Sequence, residues 1–168
     1  MHRLLFSKTA DAIWTSHLDV MRIFQRAFLR AHIPIAHTQG YSPHPFVSVI
    51  LPLSVGTASQ CEILECILED KEISFQETQE RLNQVLPEGI QVKEVYESSR
   101  KAKELTYLQA RLELCYDSGI PSGASEMLNS LYSRETLEIT KKSKKGETLL
   151  DIRPMIQSVQ VQDHSPTQ

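Results

Sequence analysis

Three side chains near the start of this sequence could move protons: His17, Asp19 and His44. An imidazole titrates close to neutral pH and can serve as general acid or base, while a neighbouring carboxylate can orient it or hold a ligand. His17 and Asp19 fall in what reads as the first turn of a helix, where the positive end of the helix dipole favours an ionised carboxylate. Asp19 thus has two readings: a cap and salt bridge to Arg22, or a catalytic or ligand-binding carboxylate. His17 can act as a base or a phosphate contact if the fold carries His44 to it. Arg22, Arg26 and Arg30 recur at i, i+4 and i+8 and so line one helix face. Together with Tyr41 and His44 they fit a shallow RNA-binding surface with a stacking partner; the alternative is a solvated helix face.

Gly40-Tyr41-Ser42-Pro43-His44-Pro45 is the most distinctive segment. Its glycine and two prolines stiffen the chain, which lowers the entropy lost when Tyr41 and His44 engage a ligand. The same residues would also serve as a rigid turn that delivers the next strand. Gly56 suits a tight backbone turn or a close approach to a ligand. Other chemistries lack their residues. The CxxxCxxC run of a radical SAM cluster, a Walker A loop, a GxGxxG after a strand and a GxSxG elbow are all missing. Cys61 and Cys66 lie five apart on an expected strand and point to opposite faces, and His32 and His37 have no third ligand in sequence. Neither a metal site nor a cofactor is expected.

The elements that must position these groups can be read from the pattern. Arg3 to Ser7 reads as a strand, and Ser16 with Asp19 opens a helix that runs to about His32, before Pro34. On it Val20, Ile23, Phe24, Ala27, Phe28 and Ala31 share the core arc opposite the arginines. Strands follow at Phe46–Leu51 and Cys61–Glu69, then a helix opened by Ser74 and Glu77 and closed before Pro87 and Gly89, then a strand Ile90–Tyr96. The order β, α, β, β, α, β predicts an α+β fold with a ferredoxin-like unit over residues 1–96. Residues 97–106 read as a linker. A second, partial ferredoxin-like unit is expected over 107–162. It comprises an alternating strand Tyr107–Tyr116, a helix Ser122–Ser133, and strands Leu137–Thr140 and Thr148–Ile152 around a basic turn with Lys141, Lys142, Lys144 and Lys145. Residues 163–168 form a polar tail.

The chain of 168 residues is 40% hydrophobic, enough for a real core, and carries a net charge of −3. That charge is unevenly spread: residues 1–56 hold five Lys/Arg against two Asp/Glu, leaving the remainder at −6. A basic end on an acidic body can steer an anionic partner. There is no membrane-spanning apolar run and no signal-peptide pattern, so no membrane partner is expected. Cys61, Cys66 and Cys115 read as free, buried thiols in a reducing compartment, and the cytoplasm is the expected location.

The runs Ser16-His17-Leu18-Asp19, then Arg22 and Arg26-Ala27, then Gly40 to Pro45, then Leu51-Pro52-Leu53 with Val55-Gly56, share a pattern with one bacterial family. The chain resembles the radical SAM-linked family classed as a domain of unknown function, DUF2344, strongly over about residues 3–69 and more weakly at Asp151-Ile152-Arg153-Pro154. The resemblance implies a neighbourhood: members stand alone or extend radical SAM proteins that have a cobalamin-binding region, often encoded near a ribonuclease of the E/G type. The expected function is an accessory RNA-binding module for tRNA or rRNA, with a radical SAM protein or that ribonuclease as partner. Two alternatives stay open: an RNA-processing or RNA-modifying enzyme using His17, Asp19 and His44, and a protein-docking domain for a radical SAM partner. A homodimer in which the second unit completes its sheet through an exposed edge is a further expectation.

Overall fold

The first strand, β1 (His2–Lys8), buries Leu4 and Phe6 completely on the side where two helices lie. The computed structural model describes residues 1–143 and 146–162 and divides into two units, Met1–Leu108 and Gln109–Gln168. In the first unit β1 is followed by a 3-10 turn (Ala10–Trp14), α1 (His17–Arg30), β2 (Val47–Val49), β3 (Ser59–Cys66), α2 (Phe75–Val85) and β4 (Ile90–Glu97). The sheet order is β2-β3-β1-β4 with every neighbouring pair antiparallel. This is the α+β arrangement that the βαββαβ order predicts.

Local chemistry sets the helix limits. The Ser16 hydroxyl accepts the Asp19 N–H at 3.2 Å, and the Ser74 hydroxyl accepts the Glu77 N–H at 3.1 Å, so both helices start at the predicted caps. α1 ends two residues earlier than expected. His32 adopts a left-handed φ of 53°, and the N–H groups of His32 and Ile33 bond back to the carbonyls of Leu29 and Phe28. That pair of bonds is a Schellman stop, which closes the helix before Pro34 can. Val20, Phe24, Ala27 and Phe28 form the buried face, and Phe24 meets Phe6 edge to face at 4.9 Å.

One sheet edge is short and the other is covered in part. β2 has three residues where six were expected, with Pro45 and Pro52 close on either side. At the opposite edge, the Asn83 amide of α2 accepts from the Val92 N–H at 2.8 Å and donates to the Val92 carbonyl at 2.9 Å. Gln79 adds a bond to the Lys93 carbonyl. Residues expected in the linker are tied to β1: Arg3 donates to the Ser98 hydroxyl and the Arg100 carbonyl while pairing with Glu65 at 2.8 Å.

The second unit holds α3 (Ala124–Tyr132) and a hairpin of β5 (Glu138–Ser143) and β6 (Gly146–Asp151). The expected strand Tyr107–Tyr116 is not formed, and Leu112 and Leu114 stand exposed. Alternation marks a segment that suits a strand, but a strand also needs a neighbour; β5 and β6 pair only with each other among the described residues. The unit therefore lacks the opening strand of a ferredoxin-like repeat. The basic turn is shorter than expected, with Lys141 and Lys142 already in β5 and Lys142 paired to Glu147. Lys144, Lys145 and the tail lie outside the described residues. Of the three cysteines only Cys66 is buried; Cys61 lies exposed in the first half of β3 and Cys115 sits in the unpaired segment, which corrects the expectation of three buried thiols. No helix among the described residues is long and apolar enough to cross a membrane.

Candidate functional site

The start of α1 shapes a small depression. Phe6, Val20, Val49, Pro52 and Leu53 wall it, and Lys8, His17 and Glu62 supply its polar lining, around about 10 Å³ of open space. That is room for one water or one oxygen atom. Lys8 is only 3% exposed, and its ammonium donates to the Thr15 carbonyl at 2.9 Å. The Nδ1 of His17 is buried and has no hydrogen-bond partner among the described residues. Burial pushes the Glu62 carboxyl above its ordinary range, against the opposing pull of the Ser59 hydrogen bond and the Lys8 charge. Lys8 and Glu62 escaped the sequence reading; the one available signal was a lysine closing an otherwise inward-facing strand.

Asp19 lies outside this depression. Its carboxylate accepts from the Ser16 hydroxyl at 2.7 Å and from Arg22 at 3.2 Å. The Ser16 hydrogen bond is the main cause that holds it below the ordinary carboxylate range, with Arg22 adding to it. The Ser16 hydroxyl caps the helix, and the carboxylate holds that hydroxyl and pairs with Arg22.

The Gly40–Pro45 segment forms the tip of a narrow hairpin-like loop. His37 bridges Pro45, the Thr38 N–H bonds to the His44 carbonyl at 2.8 Å, and the His44 N–H returns to the Thr38 hydroxyl at 3.2 Å. The Nδ1 of His44 lies 3.1 Å from the Thr38 hydroxyl and 3.2 Å from the Ser42 carbonyl. A carbonyl only accepts, so the Ser42 bond requires a proton on Nδ1. Gly40 adopts a φ of 138°, a conformation that side chains rarely tolerate. Tyr41 beside it is fully exposed. Gln25 of α1 fastens the loop by donating to the Pro45 carbonyl at 3.1 Å. Pro43 is exposed and Pro45 half-buried at that base.

The four motif runs are thus strung along α1. His17 shares the depression with Pro52 and Leu53 at one end, and the loop carrying His44 is clipped to Gln25 further on. Eight residues of helix separate the two levels, about 12 Å along the axis. Asp19 and His44 each keep separate partners, the His17 ring lines the depression, and no bond joins the three among the described residues. Gly56 completes the docking at the N-terminal end: its N–H bonds to the Ile13 carbonyl at 2.8 Å, and at a φ of 85° its α-carbon faces the Trp14 ring.

The positive charge is less open than its count suggests. Arg3 is paired with Glu65, Lys8 is buried, Arg22 is paired with Asp19, and Arg30 donates to the Val85 carbonyl at the end of α2. Arg26 is exposed without a hydrogen bond or ion pair among the described residues. Gln25 lies between Arg22 and Arg26 in the sequence of α1, so the clip brings the base of the Tyr41 loop to the turn of helix that carries Arg26. No group of three or more His, Cys, Asp or Glu side chains suited to a metal ion occurs among the described residues.

The first unit is an α+β module whose distinctive side chains are gathered on one helix and on the loop and turn fastened to it. The chain belongs to a bacterial family described as uncharacterized protein conserved in bacteria (DUF2344), whose model matches residues 2–168. The family match therefore continues through the second unit, well past the region of strongest motif likeness. Neither the curated proteins nor the solved structures contain a match to it.

Proposed function

We propose that this protein is an accessory RNA-binding module that engages tRNA or rRNA on behalf of a radical SAM enzyme or an E/G-type ribonuclease. The reading rests above all on Tyr41. An aromatic ring left wholly in water at the tip of a loop that is locked by Thr38, His44 and Gln25 contributes nothing to the core, whereas a base can stack on it. Arg22 and Arg26 at the loop base would hold the adjacent backbone phosphates. Loop rigidity lowers the ordering cost of binding. The enzyme alternative needs His17, Asp19 and His44 to act on one reacting group, and their separate positions along α1 do not favour it.

The test is a titration with bulk tRNA and rRNA fragments at low and high salt. Wild-type affinity should fall steeply with salt, and Arg22→Ala with Arg26→Ala should flatten the dependence by about one unit of log–log slope per lost phosphate contact. Tyr41→Ala should weaken binding by about fivefold or more with the slope unchanged. Absence of binding at both salts would overturn the RNA reading in favour of a docking face for a protein partner, to which the exposed Leu18 and Leu29 on α1 would contribute.

A further inference from the structure

Lys8 is an unusual residue to find inside a small sheet protein. Its side chain is almost wholly buried, yet no carboxylate stands within 4.0 Å of its ammonium among the described residues. An ammonium has three N–H donors, and the Thr15 carbonyl takes one. A buried charge with donors unmet is costly unless something meets them. His17 has a similar deficit on the same depression, because its buried Nδ1 has no hydrogen-bond partner among the described residues. The two unmet groups share a space the size of one oxygen atom at the N-terminus of a 14-residue helix, where the dipole favours negative charge. Pro52 and Leu53 wall it alongside them and have no polar side chain to offer either group.

We propose that Lys8 and His17 form a subsite that receives one oxygen of a phosphate group. Lys8 donates to that oxygen, and His17 donates when Nδ1 carries the proton. Glu62 supplies the opposing charge that keeps the empty subsite tolerable, and it sets the affinity: an ionised Glu62 weakens binding of an anion and a neutral side chain there strengthens it. The inference rests on the RNA reading for its biological source of phosphate, namely the nucleic-acid backbone, but its chemistry can be tested without RNA.

The experiment is a titration of the intact protein with inorganic phosphate against a sodium chloride control at equal ionic strength, followed by the ring nitrogen signals of His17. Phosphate should shift those signals saturably. Lys8→Met, which keeps the apolar stem, should weaken the response about tenfold or more, as expected for loss of a charge-assisted hydrogen bond. Glu62→Gln should tighten it. Circular dichroism reports whether Lys8→Met folds, and Glu62→Gln gives an independent arm if it does not. A response absent in wild type, or weakened in Glu62→Gln, would overturn the subsite. RNA binding that persists without any phosphate response would overturn the subsite and leave the RNA reading standing. A phosphate response in a protein that fails to bind RNA would uphold the subsite and remove the nucleic-acid source.

Discussion

Cys66 and Cys61 show how far one side chain's surroundings change its chemistry. Cys66 is fully buried at the end of β3, and burial pushes its thiol up to about 12, whereas Cys61 and Cys115 are exposed. The thiolate is the nucleophile, so iodoacetamide at pH 8 should label Cys61 and Cys115 and spare Cys66 in the folded protein. Mass spectrometry of the labelled peptides checks this; rapid labelling of Cys66 would mean that β3 opens. The same distinction governs what could be read from residues alone. Asp19 beside Ser16 and Arg22 was legible because capping and i, i+3 pairing are local. The pairing of Arg3 with Glu65 across β1 and β3 was not legible, since it spans 62 residues of sequence. Neither was the burial of Lys8, and with it the polar half of the depression.

At the level of elements, Gly89 carries a demand that its neighbours make plain. Its φ is 84°, and a β-carbon there would fall 2.3 Å from the Thr9 carbonyl oxygen. Backbone cannot yield as a flexible side chain can, so Gly89→Ala should destabilise the first unit by about 2 kcal/mol or more, measured by urea unfolding. An unchanged midpoint would show that the β1 turn and the α2–β4 connection can part without cost. Gly89 was legible as a helix stop, but its contact with Thr9 was not, because the 3-10 turn Ala10–Trp14 carries no strong sequence signal and Ala10 takes a φ of 47° without glycine. The elements of the first unit were otherwise legible to within a few residues from capping serines, prolines and apolar spacing. The end of α1 was misplaced because a histidine, and not a glycine, occupies its left-handed stop.

For the whole molecule, the two units differ in how much apolar surface they bury. The core cluster from Leu4 to Val95 lies entirely in the first unit, whereas Leu112, Leu114, Met127 and Leu149 of the second stand exposed. Hydrogen exchange should therefore find β1, β3 and β4 strongly protected and the amides of Tyr107–Tyr116 exchanging at nearly free rates. Strong protection across Tyr107–Tyr116 would show that this segment pairs as a strand in solution, as its alternation suggests. Binary pattern could not foresee its state because partner availability is a property of the assembled chain. The Asn83–Val92 bonds have a consequence of the same kind. Two side-chain amides of α2, Asn83 and Gln79, take the place of a further strand at Val92 and Lys93 of β4, and at the far side β2 offers only three residues between prolines. A peptide seeking to extend the sheet at either of those places finds little backbone to copy, so on the proposed reading selection falls to the side chains along α1 and its loop.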